Sequence, residues 1–214
     1  MTQPLPRRKQ AERTALSESR LLDSAVSLIL TRGSAGMTLK EVSEGAGYSR
    51  AMAGWRYGNK AALCSMVVRA VGEEWLEALA FAVDEQVGLA AIHAATDAHY
   101  RFVSDGADRI RAFYMLWFDS IGPEPDLKQV IAKVHERRQR DVEAWLRQGI
   151  TQGLVPRDLD VRGIAAQFCA AIIGIVYQWL VTPHAHAEIK ALHEGLKQQM
   201  TRALRPDLNL GDDR

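Results

Sequence analysis

Apolar residues recur at helical spacing along almost the whole chain, and this pattern predicts an all-α protein of about nine helices. In the first stretch Leu22, Val26 and Ile29 share one face, Ser17 precedes them as a cap, and Gly33 ends the run. Comparable stretches follow, each bounded by glycine, proline or a capping side chain. The predicted helices cover about 17–32, a short segment after Thr38, and then 50–56, 60–86, 89–104, 107–120, 126–151, 160–181 and 186–204.

Two of these segments are unusually apolar. Residues 113–118 place six large apolar side chains in a row, and a helix that is apolar all round is buried or lines a cavity. Residues 160–181 are long enough to cross a bilayer, but Gln167 and Gln178 interrupt them. We therefore interpret this segment as a core helix and expect no membrane partner.

The stretch 38–60 predicts a helix, a tight turn and a second short helix. Thr38 and Glu41 have the spacing of a capping box, in which two side chains satisfy backbone donors at a helix start. Gly47 can adopt the positive φ of a sharp turn, and Ser49 can cap a helix that starts at Arg50. Two helices joined by about three residues form a helix-turn-helix, whose second helix can enter a major groove.

This stretch resembles the DNA-binding signature of TetR-family transcriptional regulators. The match spans roughly residues 17–65 and rests on Thr38, Ala46, Gly47, Tyr48, Ser49, Arg50, Trp55, Tyr57, Gly58, Asn59 and Lys60. The chain departs from the signature at Gly54, where the family usually has a tyrosine. The resemblance implies a three-helix DNA-binding head and a helical regulatory and dimerisation body. We expect a basic, disordered arm at 1–16, the head at 17–60, the body at 61–206 and a tail at 207–214.

Charge is distributed unevenly between these parts. The net charge is +1, but residues 1–60 carry ten Lys or Arg and five Asp or Glu, net +5, which leaves net −4 for the rest. A basic segment on an acidic body favours a local contact with a polyanion. Cys64 and Cys169 lie in no metal-binding spacing, and the first residues contain no apolar signal sequence. We expect a cytoplasmic protein with reduced thiols and no cofactor.

Side chains around the second helix of the motif are the expected contacts to double-stranded DNA. Arg50 and Arg56 can pair with guanine edges, and Met52 can touch a thymine methyl group. The resemblance implies phosphate contacts from others in the set, and the basic arm can lie on DNA or remain a solvated tail. Two alternatives stay open, a surface salt bridge for Arg56 and packing at the turn for Tyr48. The full set is Thr38, Tyr48, Ser49, Arg50, Met52, Trp55, Arg56 and Lys60.

Aromatic residues of the body predict an apolar cavity for a small-molecule effector, as the resemblance also implies. The alternative is an ordinary aromatic core with a half-buried histidine. The candidates for the cavity wall are Trp75, His99, Phe102, Phe113, Trp117, Trp145, Phe168 and Tyr177.

The last two predicted helices carry the candidate subunit interface. Small residues spaced by four allow another helix to approach closely, and a stripe with a period near 3.5 requires a partner helix. The resemblance implies a four-helix bundle of two subunits in a homodimer, and the alternative is packing within one subunit. The two sets are Ala166, Ala170 and Gly174, and Ile189, Leu192 and Leu196.

Two functions remain open from the sequence. The first is a homodimeric, sequence-specific DNA-binding regulator, for which the resemblance implies a repressor that leaves a palindromic operator when a small apolar or amphipathic effector binds. The second is a helical ligand-binding or interaction module with a degenerate head, because Gly54 costs its helix about 1 kcal/mol. No phosphate-binding loop, GxSxG or HExxH motif is present, so we expect no enzyme. His184, His186 and His193 are interpreted as ordinary residues and not as a metal site.

Overall fold

A computed structural model describes residues 7–105, 107–122 and 125–205, and 84% of these described residues are helical. The described residues form nine helices and no strand, which confirms the predicted all-α class. The tail 207–214 lies outside the described residues. The helices are α1 Arg7–Gly36, α2 Leu39–Gly45, α3 Met52–Tyr57, α4 Lys60–Val83, α5 Gly88–Asp105, α6 Ala107–Asp119, α7 Pro125–Thr151, α8 Val161–Val181 and α9 His186–Leu204.

The first helix is longer than predicted. Residues 7–16, expected to be part of a disordered arm, continue α1, and residues 1–6 of that arm lie outside the described residues. The helix breaks at Gly33, where φ is 71° and ψ is 168°. A positive φ is readily adopted only by glycine, so the stop predicted at this residue is present as a break before the helix-turn-helix.

One compact unit comprises residues 1–72 and 108–131. It therefore contains the predicted head, the first half of α4, α6 from its second residue onward, and the first residues of α7. The apolar α6 is buried as its sequence predicts, with Tyr114 fully enclosed. Two polar contacts join α6 to α1, from Arg109 Nη2 to Asp23 Oδ1 at 2.7 Å and from Ser34 Oγ to Asp119 Oδ2 at 2.5 Å.

The second compact unit comprises residues 73–107 and 132–214. Its helices α5 and α8 both pack against α9. Trp75 and Leu79 of α4 pack on the small residues of α5, represented by Ala91, Ala95 and Ala98. Small side chains let the neighbouring helix approach, so the bulky aromatic ring is accommodated without a large void.

Helix α8, Val161–Val181, is long and apolar enough to span a bilayer and is the sole described helix that meets this criterion. Buried core helices meet it as well. One face of α8, which includes Phe168 and Ile172, is buried within its own unit. The opposite face carries exposed small and apolar residues.

Candidate DNA-binding surface and ligand cavity

The start of α2 has the predicted capping box. Thr38 Oγ1 accepts the Glu41 N–H at 3.2 Å, and Glu41 Oε2 accepts the Thr38 N–H at 3.2 Å. Arg32 Nη1 also donates to Glu41 Oε1 at 2.5 Å. The Thr38 hydroxyl and then Arg32 hold the pKa of Glu41 below its ordinary value. The capping box and its arginine therefore fix where α2 begins.

The second helix of the motif is capped differently from the prediction. Helix α3 begins at Met52, two residues later than expected, and its N-cap Ala51 supplies no side-chain hydrogen bond. The buried Ser43 of α2 provides the acceptor, because its Oγ accepts the Ala53 N–H at 2.9 Å. The expected cap, Ser49, is exposed. Helix α3 is thus capped by a residue of α2, which also fixes its direction relative to α2.

The close packing of α1 on α2 depends on a glycine. Ser24 Oγ of α1 donates to the Val42 carbonyl at 2.9 Å. A Cβ at Gly45 would lie 2.5 Å from this Ser24 oxygen. A larger residue at position 45 would therefore displace α1 or break the Ser24 contact.

Five of the eight predicted DNA contacts are exposed, namely Thr38 and Lys60 at the two ends of the motif and three residues in and before α3. Ser49, Arg50 and Trp55 face solvent, and Trp55 is 84% exposed. Arg50 Nε donates to Glu44 Oε1 at 2.7 Å, a contact between exposed groups that is easily exchanged. Met52 and Tyr48 are partly buried. A tryptophan this exposed in a short helix is unusual for a monomeric surface and indicates a contact surface.

Arg56 is engaged within the head. Its guanidinium donates to Ser17 Oγ at 3.1 Å and forms an ion pair with Glu18, both in α1. Only 19% of the Arg56 side chain is exposed. The structure thus shows the salt bridge that the sequence left open as the alternative to a guanine contact. Lys60 Nζ donates to the Ala35 carbonyl at 3.1 Å, and Asn59 Oδ1 caps α4 through the Ala62 N–H at 2.8 Å.

A groove runs between the first part of α1 and α3. Part of its wall comes from predicted DNA contacts on α3 and the turn before it, and the rest from residues of α1 that sequence reasoning did not single out as a surface. Its lining residues are Gln10, Arg13, Thr14, Leu16, Ser17, Tyr48, Met52, Trp55 and Arg56.

An internal cavity lies within the second unit. Four of the eight residues proposed for it from the sequence line it, namely Trp75, His99, Trp145 and Phe168. The centre of a water-sized sphere can occupy about 40 Å³ of the cavity, which leaves room for only a few water molecules. The remaining lining residues are Leu79, Ala95, His135, Arg138, Val142, Cys169, Ile172 and Ile173.

The other four proposed residues do not line this cavity. Phe102 packs against Trp75 with a ring-centroid distance of 5.0 Å, on the outer side of the same cluster. Phe113 and Trp117 belong to the core of the first unit. Tyr177 is 55% exposed on the outward face of α8. Aromatic content alone cannot separate these surroundings, since each ring suits a core as well as a cavity wall.

A chain of two buried histidines links the cavity to α9. His193 Nδ1 lies 2.8 Å from the Ile189 carbonyl, which can only accept, so this nitrogen carries a proton. In the neutral ring, His193 Nε2 is then an acceptor, and His99 Nδ1, 2.9 Å away, donates to it. Burial lowers the pKa of both rings, that of His99 well below its ordinary value, and the charge of Arg138 acts in the same direction on His99.

Polar groups occupy one part of the cavity wall. Arg138 Cζ lies 5.8 Å from the centre of the Trp75 ring, and its charge also acts on the pKa of Cys169, which burial raises. Trp75 is 6% exposed, and its indole Nε1 is buried without a hydrogen-bond acceptor among the described residues. An unpaired buried donor costs about 1–3 kcal/mol, so this nitrogen is a candidate ligand contact.

The candidate interface residues fall into two groups. Ala166, Ala170 and Gly174 of α8 are exposed, and a Cβ at Gly174 would meet nothing within 4 Å. Ile189 and Leu196 of α9 are each only 4% exposed. They lie in the core of their own subunit, where α9 packs on α5 and α8. For these two side chains the structure shows packing within one subunit, the alternative that the sequence left open. Leu192, on the other side of α9, is 42% exposed.

Within the described residues, no group of three or more His, Cys, Asp or Glu side chains is arranged to hold a metal ion. His193, considered in the sequence with His184 and His186, is buried and bound to His99.

Sequence and structure comparisons place this architecture among known proteins. A family model described as the C-terminal region of MAATS-type transcriptional repressors, of TetR type, matches residues 124–201. A TetR transcriptional regulator from Chloroflexus aurantiacus is 17% identical with a TM-score of 0.76, over 92% of this chain and 98% of that chain. The chain therefore has the fold of these regulator structures, and its residues 124–201 resemble the C-terminal region of the MAATS-type repressors.

Two further structures share this fold. FadR from Bacillus subtilis, solved in complex with stearoyl-CoA, is 15% identical with a TM-score of 0.74, covering 87% of this chain and 98% of that chain. GusR from Salmonella enterica is 15% identical with a TM-score of 0.73, covering 88% and 95%. No curated protein sequence matches the chain. At these identities the likeness shows the fold of a TetR-type transcriptional regulator.

Proposed function

We propose that the chain is a homodimeric, sequence-specific DNA-binding regulator, a repressor that a small apolar or amphipathic ligand releases from its operator. The observation that carries the proposal is the helix-turn-helix itself. Its α2 is capped by Thr38, its α3 is capped from α2 by Ser43, and the exposed surface presents Ser49, Arg50 and Trp55. A short helix held at a fixed angle with polar and aromatic side chains outward suits docking into a major groove.

The charge of the N-terminal part supports a DNA partner. Residues 1–60 are net +5, and Arg13 lines the groove between α1 and α3. Cationic side chains near phosphates release condensed counterions, so affinity should fall steeply with salt concentration. A DNA partner also implies that the protein works in the cytoplasm.

Dimerisation is supported by the outward face of α8. Ala166, Ala170, Gly174, Tyr177 and Val181 are exposed at helical spacing, and all are small or apolar. Such a stripe allows a second helix to approach closely. Two heads in a symmetric dimer can engage half-sites spaced by about 34–36 Å on a palindromic operator.

Sedimentation velocity tests this interface. Ala170→Glu places a charge in the stripe and should convert the dimer to monomer, whereas Ala144→Glu, at an exposed position of α7, should remain dimeric. A fully dimeric Ala170→Glu variant would exclude this face as the interface.

Repression and ligand release rest on two observations. Residues 124–201 match the C-terminal region of transcriptional repressors, and eight of the twelve residues that line the cavity lie in this range. A neighbour in fold, FadR, was solved with stearoyl-CoA. Since the cavity now has room for only a few waters, a ligand must open it by moving helices. Such a ligand shifts DNA affinity only as far as it prefers the opened state.

Two arginine substitutions test the DNA-binding surface. Arg50→Ala should relax sequence choice, at about 1–3 kcal/mol if Arg50 reads a base, and leave stability unchanged because Arg50 is exposed. Arg56→Ala should instead lower stability, since it removes the contacts to Ser17 and Glu18. The readouts are fluorescence anisotropy with selected and random duplexes, and urea unfolding. Equal losses on every sequence for Arg50→Ala would reject base reading by this residue.

A further inference from the structure

We infer that α3 reads its half-site of the operator through the methyl groups of thymines, which Met52 and Trp55 contact, and not through hydrogen bonds from its own side chains to base edges. The inference deepens the proposed function and rests on it, because it takes α3 to face the bases of a DNA duplex.

The first argument is that the polar side chains of α3 are engaged or buried. The guanidinium of Arg56 donates to Ser17 Oγ and pairs with Glu18, and most of this side chain is buried. The hydroxyl of Tyr57, the last residue of the helix, is buried as well. The remaining residues of α3, all of which the structure describes, carry no carboxylate, amide or hydroxyl group. A hydrogen bond from α3 to a base edge would therefore first require breaking contacts within the head.

The second argument is that the outer surface of α3 is apolar. Ala53 is fully buried and Gly54 has no side chain, which leaves Met52 and Trp55 to form this surface. The two side chains line one groove together with Leu16 of α1, which is also exposed. The indole N–H of Trp55 is the strong hydrogen-bonding group of this surface, and it can only donate.

The base edge that suits such a surface is that of thymine. In the major groove every base pair presents donors and acceptors, and thymine adds an apolar C5 methyl group. An apolar side chain placed against a donor or an acceptor removes water without replacing the hydrogen bond, which costs free energy. Contact with a methyl group has no such cost and buries apolar surface on both sides. Helix α3 should therefore prefer A·T pairs whose thymine methyl group faces Met52 or Trp55.

Gly54 suits a close approach of the duplex to α3. A Cβ at this position would meet nothing within 4 Å, so packing within the protein does not require glycine, and neither does a positive φ. Glycine inside a helix is unfavourable, but it allows a ligand to come close to the backbone. Close approach of the bases to Met52 and Trp55 accounts for the residue at which the chain departs from the TetR signature.

Charge favours DNA as the occupant of this surface. An exposed tryptophan beside an apolar groove suits a protein partner as well. Here, however, Arg13 lines the same groove, and Arg50 is exposed two residues before Met52. Residues 1–60 carry a net charge of +5. Cationic side chains bind the phosphates of a duplex, and the apolar residues near them are then held against its bases.

Deoxyuridine tests the inference, because uracil in place of thymine removes the methyl group and keeps every hydrogen-bonding group of the base. The full-length protein would be titrated by fluorescence anisotropy with a duplex recovered from a random-sequence selection, and with copies in which one thymine at a time is replaced. Burying one methyl group corresponds to about fourfold in affinity, so we expect at least one position at which uracil weakens binding about fourfold. Equal affinities of the thymine and uracil duplexes at every position would overturn the inference.

Variants assign the methyl contact to its residues. At each sensitive position, the preference for thymine over uracil should disappear in either Met52→Ala or Trp55→Ala. Because Trp55 is exposed, Trp55→Ala should keep the unfolding midpoint, so its effect does not arise from misfolding. Arg13→Gln, in the same groove, is the control and should weaken binding to both duplexes by the same factor. A preference that survives in both Met52→Ala and Trp55→Ala would refute the assignment.

Gly54→Ala separates DNA binding from stability. Alanine favours the helix, so the unfolding midpoint of this variant should rise. Binding to the selected duplex should nevertheless weaken by about fivefold or more, since an added methyl group strains a closely packed contact. Unchanged or tighter binding would contradict the close approach.

Failure of this inference differs from failure of the proposed function. Specific DNA binding without any dependence on thymine methyl groups would retain the regulator and refute this reading by α3. Failure of the selection to enrich any duplex would refute both.

Discussion

The hydroxyl of Ser43 is predicted to hold the DNA-binding helix in place, and Ser43→Ala tests this. Ser43 is fully buried, its Oγ accepts the Ala53 N–H at 2.9 Å, and it donates to the Leu39 carbonyl at 2.9 Å. Alanine at this position leaves the Ala53 N–H at the start of α3 without its acceptor. The Leu39 carbonyl lies within α2 and loses only a secondary contact.

The magnitude follows from these contacts. An orphaned buried donor costs about 1–3 kcal/mol, and alanine returns less than about 0.5 kcal/mol through its higher helix propensity. We expect Ser43→Ala to lower the free energy of unfolding by about 1–2 kcal/mol in urea titrations followed by circular dichroism. Amide hydrogen exchange should show faster exchange at Ala53. Operator affinity should fall as well, because α3 loses its fixed direction.

Ser49→Ala is the matched control. Ser49 is exposed and does not cap α3, so its removal should change stability by less than about 0.5 kcal/mol and leave Ala53 exchange unchanged. If Ser49 contacts a phosphate, its loss should weaken binding to all duplexes equally. The reasoning fails if the two serine variants have the same stability, or if Ala53 keeps its protection in Ser43→Ala.

Two other predictions concern the second unit. Gly149→Ala would place a Cβ 2.7 Å from the Cα of Gly88 at the start of α5, so it should lower the stability of the fold by about 1–3 kcal/mol in thermal unfolding. Gly195→Ala is the control, because a Cβ there would meet nothing within 4 Å, and it should raise stability by up to about 1 kcal/mol. Equal effects would contradict the close approach. Because burial lowers the pKa of His99 and His193, the unfolded state binds more protons as pH falls below about 6.5. Stability should therefore decrease from pH 7 to 5.5, by up to about 1.4 kcal/mol per pH unit for each ring. His99→Gln should flatten this dependence and exposed His184→Gln should not; an unflattened profile would contradict neutral burial.

Local signals predicted most of the helices well. The predicted ends of the last three helices agree with the structure to within one residue, because glycine, proline and capping side chains mark those ends. The predicted segments are 126–151, 160–181 and 186–204, which correspond to α7, α8 and α9. Thr38 and Glu41 cap α2 as expected, and Asn59 caps α4 in the same local way, since capping depends on neighbours within one turn.

Features that depend on distant residues were not predictable in the same way. Ser49 has the right type and position for a cap, but Ser43 supplies the acceptor from another helix. The position of Arg56 at the end of the second helix of the motif predicts a DNA contact. In the structure its guanidinium instead pairs with Glu18, which is 38 residues away in the chain. Arg138 lies in the charged run 135–143, whose mixed charges are typical of a solvated helix face, whereas in the structure it lines the cavity. The arrangement of helices decides each of these cases, and periodicity within one helix carries no information about it.

The most direct test of the central claim is DNA binding by the purified protein at two salt concentrations. Anisotropy with the DNA upstream of its own gene, with nonspecific competitor, and with duplexes recovered from a random-sequence selection would be measured at 50 and 200 mM salt. We predict saturable binding to a palindromic duplex that weakens by at least tenfold over this range. The Arg50→Ala variant should lose this binding at a lower salt concentration than the unmodified protein. Absence of binding to the upstream DNA, together with failure of the selection to enrich any sequence, would contradict the assignment as a sequence-specific regulator.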